Sequence, residues 1–281
     1  MSLWTGRDDG VTSALDRDHE AVRGTSRLWD RWDTMNTARL ATFVDRSVRF
    51  ARTEFAALGA LLVVALGLTT FADLAEDMNQ TGSQAFDQKV LVWMQPTPGV
   101  PRGPWWLKEA ASDLTSLGGI SVLTLFALIA LAFLLFQKKR LSALLLVVGL
   151  AGGVGLSEGL KRVFERQRPP SLYQAVDTLN ASFPSGHALL STVFYLTLGV
   201  MLTRAFPKKR LKAFVLGAAI LIALLIGATR IYLGAHWASD VFAGWSVGAA
   251  WAMLLWLAAW AAQRRQARHA AGPHDEAAPE A

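Results

Sequence analysis

Three short stretches of the chain combine cations, histidines and a carboxylate in patterns suited to chemistry on a tetrahedral oxyanion. In KRVFERQRPP, Lys161 and Arg168 stand two helical turns apart. On a helix that Pro169 and Pro170 then terminate, both would face one place. In SFPSGH, Ser185 reads as a helix N-cap, Gly186 lets backbone N–H groups approach an anion, and His187 follows directly. The free amides of Ser185, Gly186 and His187 at a helix start, aided by the helix dipole, suit an oxyanion without any side chain. In TRIYLGAHWASD, His236 and Asp240 are four residues apart. On one helical face the carboxylate would accept the imidazole Nδ1–H and leave Nε2 free to attack or to take a proton. Arg230 lies off that face, which predicts a bend at Gly234.

Each stretch alone also has an ordinary structural reading: a snorkelling basic cluster, a tight turn, a satisfied core His–Asp pair. Together they gather three cations, two histidines, one carboxylate and a helix N-terminus. Three fixed cations around an amide nest fit a doubly charged tetrahedral oxyanion. A metal site fits worse, because two histidines and one committed carboxylate make no hard-oxygen cage. Neither a metal nor any other cofactor is expected.

The elements that must position these residues are apolar. Of the 281 residues, 52% are hydrophobic, and the mean hydropathy is positive. Six runs approach the roughly 20 residues that a membrane-spanning helix needs: about 55–72, 117–136, 141–160, 187–204, 211–228 and 241–262. The fourth and fifth are short with polar edges, and a count of five would put the termini on opposite sides. The expected fold is therefore all-α, an integral membrane bundle of about six transmembrane helices. The first run begins near Phe55 behind a long polar stretch, so it reads as an uncleaved span rather than a signal peptide. Cysteine is absent, which excludes disulfides and thiolate metal sites.

The net charge of +6 alone would allow a nucleic-acid partner, but its placement argues for a bilayer instead. Of 28 Lys and Arg, 20 fall in segments 1–54, 137–140, 204–212 and 263–281, and 8 in the alternate segments 72–112, 161–186 and 229–240. Basic residues concentrate on the cytoplasmic side, so both termini are expected inside and all three stretches outside. QKKR at 137–140 and FPKKRLK at 206–212 then read as topology determinants.

Three segments are expected. Residues 1–54 form a cytoplasmic N-terminal segment, polar to residue 24 and then a basic amphipathic helix that lies on an anionic leaflet or packs on the bundle or a partner. Residues 55–262 form the transmembrane domain, and 263–281 a disordered cytoplasmic tail. Within the domain, the prolines of QPTPGVPRGPWW forbid a single helix across the 73–116 connection. Trp93, Trp105 and Trp106 suit an interface, so the segment reads as an anchored connector rather than a cover for a site. Glu158, inside a span, receives no role.

In order and internal spacing, the three stretches resemble the three-part signature of the type 2 phosphatidic acid phosphatase (PAP2) superfamily: Lys161 to Arg168-Pro169, Pro184-Ser185-Gly186-His187, and Arg230 to His236 to Asp240. The resemblance covers 161–240 by motif and about 55–262 by span pattern, leaving 1–54 unaccounted for. Thr229 stands where the family usually has Ser, and the hydroxyl is kept.

The resemblance implies a metal-independent lipid phosphatase or diphosphatase working through a phosphohistidine. His236 would be the nucleophile, Asp240 its orienting partner and His187 the proton donor to the leaving oxygen. Lys161, Arg168, Arg230 and the amides of Ser185, Gly186 and His187 would hold the phosphoryl oxygens. A histidine starting neutral and another starting protonated predict a bell-shaped rate profile. The substrate would be a polyprenyl diphosphate, phosphatidic acid or phosphatidylglycerol phosphate, and the outward site favours the first. Two other readings use the same residues: transfer of the phosphoryl group to a sugar-lipid acceptor, and a transporter or scaffold that binds an anion without turnover. The haloperoxidase branch of the superfamily does not fit, because the apolar runs leave no soluble helical shell.

Overall fold

A computed structural model of the chain describes residues 54–78, 80–175 and 180–270, with the side chains of 267–270 excepted. Residues 58–281 form one compact unit. The other unit, residues 1–57, lies almost wholly outside the described residues, and so does the amphipathic helix expected after Thr25.

The described residues form eight α-helices: α1 (Glu54–Asp77), α2 (Thr81–Met94), α3 (Trp105–Ser116), α4 (Ile120–Phe136), α5 (Arg140–Phe164), α6 (Gly186–Thr203), α7 (Lys209–Tyr232) and α8 (Ala238–Ala270). A 3-10 turn at Ser171–Tyr173 precedes α6. Helices α1, α5, α6, α7 and α8 are each long and apolar enough to cross a bilayer. The pair α3 and α4, bent by 48° at a short break, makes a sixth candidate if the two halves count as one span. The chain is an all-helical integral membrane protein. Large apolar side chains such as Leu61, Phe126, Phe133 and Leu221 point outward, as they must where hydrocarbon is the solvent.

In such a solvent apolar burial gives helices little reason to associate, so close packing and interhelical hydrogen bonds hold the bundle. Helix α6 is central: Leu189, Val193 and Phe194 are fully buried, in one cluster with Leu123 of α4, Leu146 of α5 and Val247 of α8. Gly244 and Gly248 let α8 approach the α6 backbone, since Cβ atoms there would stand 2.7 Å from Ser185 O and 2.8 Å from Leu189 O. Trp245 Nε1 donates to Ala223 O at 3.1 Å, and Trp251 Nε1 to Gly149 O at 3.0 Å, tying α8 to α7 and α5. The first turns of α6 and α8 are thereby brought side by side.

The structure revises three sequence expectations, for Arg168, His236 and the C-terminal tail. Helix α5 ends at Phe164, because Glu165 adopts a left-handed conformation (φ 43°) and its N–H closes on Lys161 O at 3.0 Å. Arg168 consequently lies beyond the helix, where a residue before proline is disfavoured from helical geometry. His236 also lies off any helix, since α7 stops at Tyr232 and α8 begins at Ala238. The bend at Gly234 is present, with φ 67° and no room for a Cβ beside Tyr173 O.

The 73–116 connection, expected to be an anchored connector, folds into α2 and α3, with its prolines confined to the link and the N-cap of α3. Trp93, Trp105 and Trp106 are exposed there, whereas Asp87 and Leu91 are buried. Helix α8 runs through Gln263 to Ala270, where a disordered tail was expected to have begun. Residues 271–281 lie outside the described residues.

Candidate active site

The end of α5, the start of α6, the end of α7 and the start of α8 share one end of the bundle. Backbone bonds staple their connecting segments together: Ser182 N to Arg166 O at 2.8 Å, Ser185 N to Asp240 O at 3.0 Å, and Ala235 N to Arg230 O at 3.0 Å. Phe71, Phe164 and Phe183 form an aromatic trio beneath, with ring centroids 5.2 to 5.9 Å apart, and fix the segment carrying Ser182.

His236 is held at both ring nitrogens. Nδ1 lies 3.4 Å from Asp240 Oδ2, and Nε2 lies 3.2 Å from an Arg168 guanidinium nitrogen. A guanidinium only donates, so Nε2 must be the accepting nitrogen and the proton sits on Nδ1, toward Asp240. The neutral tautomer with a lone pair at Nε2 is therefore the one the surroundings select. Burial pushes the His236 imidazole down to about 4, with the Arg168 and Arg230 cations adding to it and Asp240 opposing it.

Asp240 is fully buried at the N-terminal turn of α8, where the helix dipole favours its charge. Besides His236, its Oδ2 accepts from Trp237 N at 2.9 Å and from the Ser182 hydroxyl. Its Oδ1 accepts from Arg166 at 2.6 Å.

Opposite His236 lies the start of α6. Ser185 caps the helix, its hydroxyl accepting from Ala188 N. Its own amide is committed to Asp240 O, so the nest expected from three amides rests on Gly186 and His187, which have no intrahelical acceptor at a helix start. A Cβ at Gly186 would come within 3.2 Å of Ser157 Oγ and 3.5 Å of Lys161 Nζ, which places both beside those amides. Lys161 also binds Glu158 Oε1 at 3.1 Å, which gives that acid a place at the rim.

Arg168 is aimed by three carbonyls besides His236, those of Asn180 (2.5 Å), Ala235 (2.8 Å) and Ala181 (3.5 Å). Arg230 is buried, with one guanidinium nitrogen donating to Thr115 Oγ1 at 3.3 Å and its Nε without a protein partner. Ser157 Oγ is buried in the same unpartnered state. Buried donors without partners are costly unless something accepts from them, and an anion's oxygens would. The Arg230, Lys161 and Arg168 cations lie near enough to act on His187, whose ring lies against the α3–α4 bend.

All eight predicted side-chain and backbone positions thus converge, with Arg168 and His236 arriving from loops. The family model of the PAP2 superfamily matches residues 140–264, the stretch that supplies this convergence. A phosphatidylglycerophosphatase B of Bacillus subtilis is 31% identical over 170 residues, 60% of this chain and 79% of the relative. The chain belongs to the PAP2 superfamily. An undecaprenyl-diphosphatase of Sulfolobus acidocaldarius is 34% identical over 120 residues, 41% of this chain and 54% of that protein. Among solved PAP2 structures, a transmembrane phosphatidylglycerolphosphate phosphatase from Bacillus subtilis superposes with a TM-score of 0.64 at 29% identity, over 72% of this chain and 96% of its own.

Sequence reasoning missed five residues that the structure of this PAP2 superfamily member brings to the candidate site: Asp87, Ser157, Arg166, Ser182 and Ser239. Arg166 stands two residues before Arg168, in a run of cations where nothing in its spacing sets it apart. Asp87 had a readable signal, since Asp87, Val90, Leu91 and Met94 form a stripe at helical spacing and a carboxylate on an apolar stripe asks for a buried partner.

Proposed function

We propose that the protein is a metal-independent lipid phosphatase or diphosphatase that works through a phosphohistidine at His236. The observation that carries this reading is the His236 ring, with Nδ1 on Asp240 and its Nε2 lone pair turned toward Arg168. In the first step Nε2 attacks phosphorus, the bond to the leaving oxygen breaks, and His187 gives that oxygen its proton. Lys161, Arg168, Arg230 and the Gly186 and His187 amides meet the charge that builds on the three equatorial oxygens. In the second step water, deprotonated by His187, attacks the phosphohistidine, releasing inorganic phosphate and restoring His236.

The same reading places the site at the extracytoplasmic face. The turns at 137–140 and 204–208, both basic, lie at the end of the bundle opposite the site, as the positive-inside rule requires of cytoplasmic loops. A lipid would present its phosphate there with its chains in the bilayer. An apolar groove of about 510 Å³ between α4, α5 and α6, lined by Ile120, Leu123, Ala127, Leu150 and Val154, starts beside the His187 end of the bundle. It suits an acyl or isoprenoid chain, whereas the phosphate cradle itself does not choose among polyprenyl diphosphate, phosphatidic acid and phosphatidylglycerol phosphate.

The test is phosphate release from those three lipids in detergent with excess chelator. Release undiminished by chelator supports the reading and ranks the substrates; release that requires an added divalent ion contradicts it. Filling the groove with Ala127→Trp is expected to lower kcat/KM for the preferred long-chain lipid by about tenfold or more. A short-chain soluble phosphate should be turned over as by wild type, and equal losses on both would remove the groove from substrate binding.

The pH profile follows from His236. Because its ring is neutral until pH falls to about 4, the nucleophile stays available through the range where an ordinary histidine, near 6.5, would protonate. The acid limb of kcat/KM is expected near that lower value. An acid limb centred near 6.5 would exclude His236 as the group that titrates there.

A further inference from the structure

Behind Asp240 stands a second ion pair that no step above uses. Arg166 is a fork between two buried carboxylates. One terminal nitrogen donates to Asp240 Oδ1 at 2.6 Å and to Ser239 Oγ at 2.7 Å; the other donates to Asp87 Oδ2 at 2.8 Å. The Arg166 side chain is 8% exposed and those of Asp87 and Asp240 are 1% and 0%. Asp87 belongs to α2, yet it caps α8: its Oδ1 accepts from Ser239 N at 3.0 Å and its Oδ2 from the Ser239 hydroxyl at 2.5 Å. The four side chains form one closed network, Asp87 to Arg166 to Asp240, with Ser239 bridging.

Two separate jobs are visible in that network. The first is geometric. Asp240 can hold His236 in the attacking tautomer only if its carboxylate cannot rotate, and Arg166 fixes the oxygen that His236 does not use. The second concerns charge. When His236 attacks phosphorus its ring becomes cationic, and Asp240 is the negative charge that meets it. An arginine paired with Asp240 alone would cancel much of that charge. Asp87 offsets the arginine, so that Asp240 is held by a cation and still presents a net negative charge to the imidazole.

Resting on the assignment of His236 as nucleophile, we infer that Arg166 and Asp87 are positioning residues for the reaction: Arg166 fixes the Asp240 carboxylate and Asp87, from α2, balances the charge of Arg166. On this account α2 is a working part of the catalytic end of the bundle. Neither residue touches the phosphate cradle, so their loss should appear in kcat and leave KM nearly unchanged.

The test compares Arg166→Gln, Arg166→Lys, Asp87→Asn and His236→Ala in the full-length protein, with phosphate release on the preferred lipid measured across pH and thermal unfolding followed in parallel. The groups facing His236 are Asp240 of α8, Arg168 and Ser182 of the loops, Arg230 of α7 and His187 of α6, and all are left intact in the three network variants. Arg166→Gln should lower kcat by roughly 100-fold, the scale of a small misplacement of a catalytic group, and move the acid limb to higher pH because a cation is removed. Asp87→Asn should lower kcat with the limb moved the opposite way, because a negative charge is removed. Arg166→Lys keeps the charge and loses the fork, so kcat should fall with the limb in place.

If Arg166→Gln does not fold, the other two network variants decide. Wild-type kcat in the folded variants, or losses with an unmoved limb in both charge-changing variants, would overturn the inference. An active His236→Ala would instead overturn the nucleophile assignment on which it rests.

Discussion

His236→Ala should abolish turnover while leaving the bundle folded. The substitution removes the atom that accepts the phosphoryl group, and no neighbour replaces it: Arg168 has no lone pair at physiological pH, and Asp240 is fully buried behind the ring. The expected loss in kcat is at least about 10⁴-fold, the scale on which removal of a covalent nucleophile leaves only binding and electrostatic catalysis. Binding of substrate should persist, because the Gly186 and His187 amides, Lys161 and Arg230 do not depend on the imidazole. Phosphate release and lipid binding measured on the same preparation separate the two. Retained release by a variant that elutes and melts like wild type would remove the ring from the chemistry.

Asp240→Asn is expected to come close to this loss, by roughly 10³ to 10⁴-fold in kcat, through a different cause. The carboxylate accepts from four donors: His236, Trp237 N, the Ser182 hydroxyl and Arg166. An amide has the same shape but one oxygen and a donating NH₂, so at least one buried donor faces another donor. If the NH₂ takes the Oδ2 position it repels Nδ1–H, and the ring is free to adopt the other tautomer, with its proton on the attacking nitrogen. If it takes the Oδ1 position it faces Arg166 instead, and a buried cation loses its acceptor at a cost of about 1 to 3 kcal/mol or more. The first arrangement reduces kcat at constant stability, and the second also lowers the unfolding temperature. Near wild-type kcat with normal stability would mean that Asp240 neither selects the tautomer nor stabilises the charged ring.

The contrast between these residues and Arg166 shows what a linear sequence can reveal. Lys161, the Ser185–His187 turn and the Arg230–His236–Asp240 stretch were legible because each is a local pattern with a chemical meaning, and the spans were legible because hydrocarbon imposes a length and a composition. The His236–Asp240 pairing was expected for a reason that did not hold. Spacing suggested one helical face, yet the contact forms across a helix start, where Asp240 reaches back to cap the segment that carries His236. Arg168 was likewise expected on a helix, which the left-handed Glu165 ends early.

What stayed hidden depends on contacts between distant segments. Ser157 gains its place only when Gly186 of α6 packs against α5. Asp87 and Ser239 are 152 positions apart along the chain. The commitment of the Ser185 amide to Asp240 O could not be read from either residue, because it is set by how closely Gly244 and Gly248 allow α8 to approach α6.

The central claim is a covalent bond between phosphorus and His236 Nε2, and rapid quenching tests it most directly. Wild-type protein is mixed with a ³²P-labelled lipid phosphate in excess chelator, quenched in base within the first turnover, and the labelled peptide is mapped. The label is expected on the peptide containing His236, stable to base and labile to acid, and absent from His236→Ala. Turnover without any trapped phosphoprotein at the shortest times, or label on another residue, would contradict it.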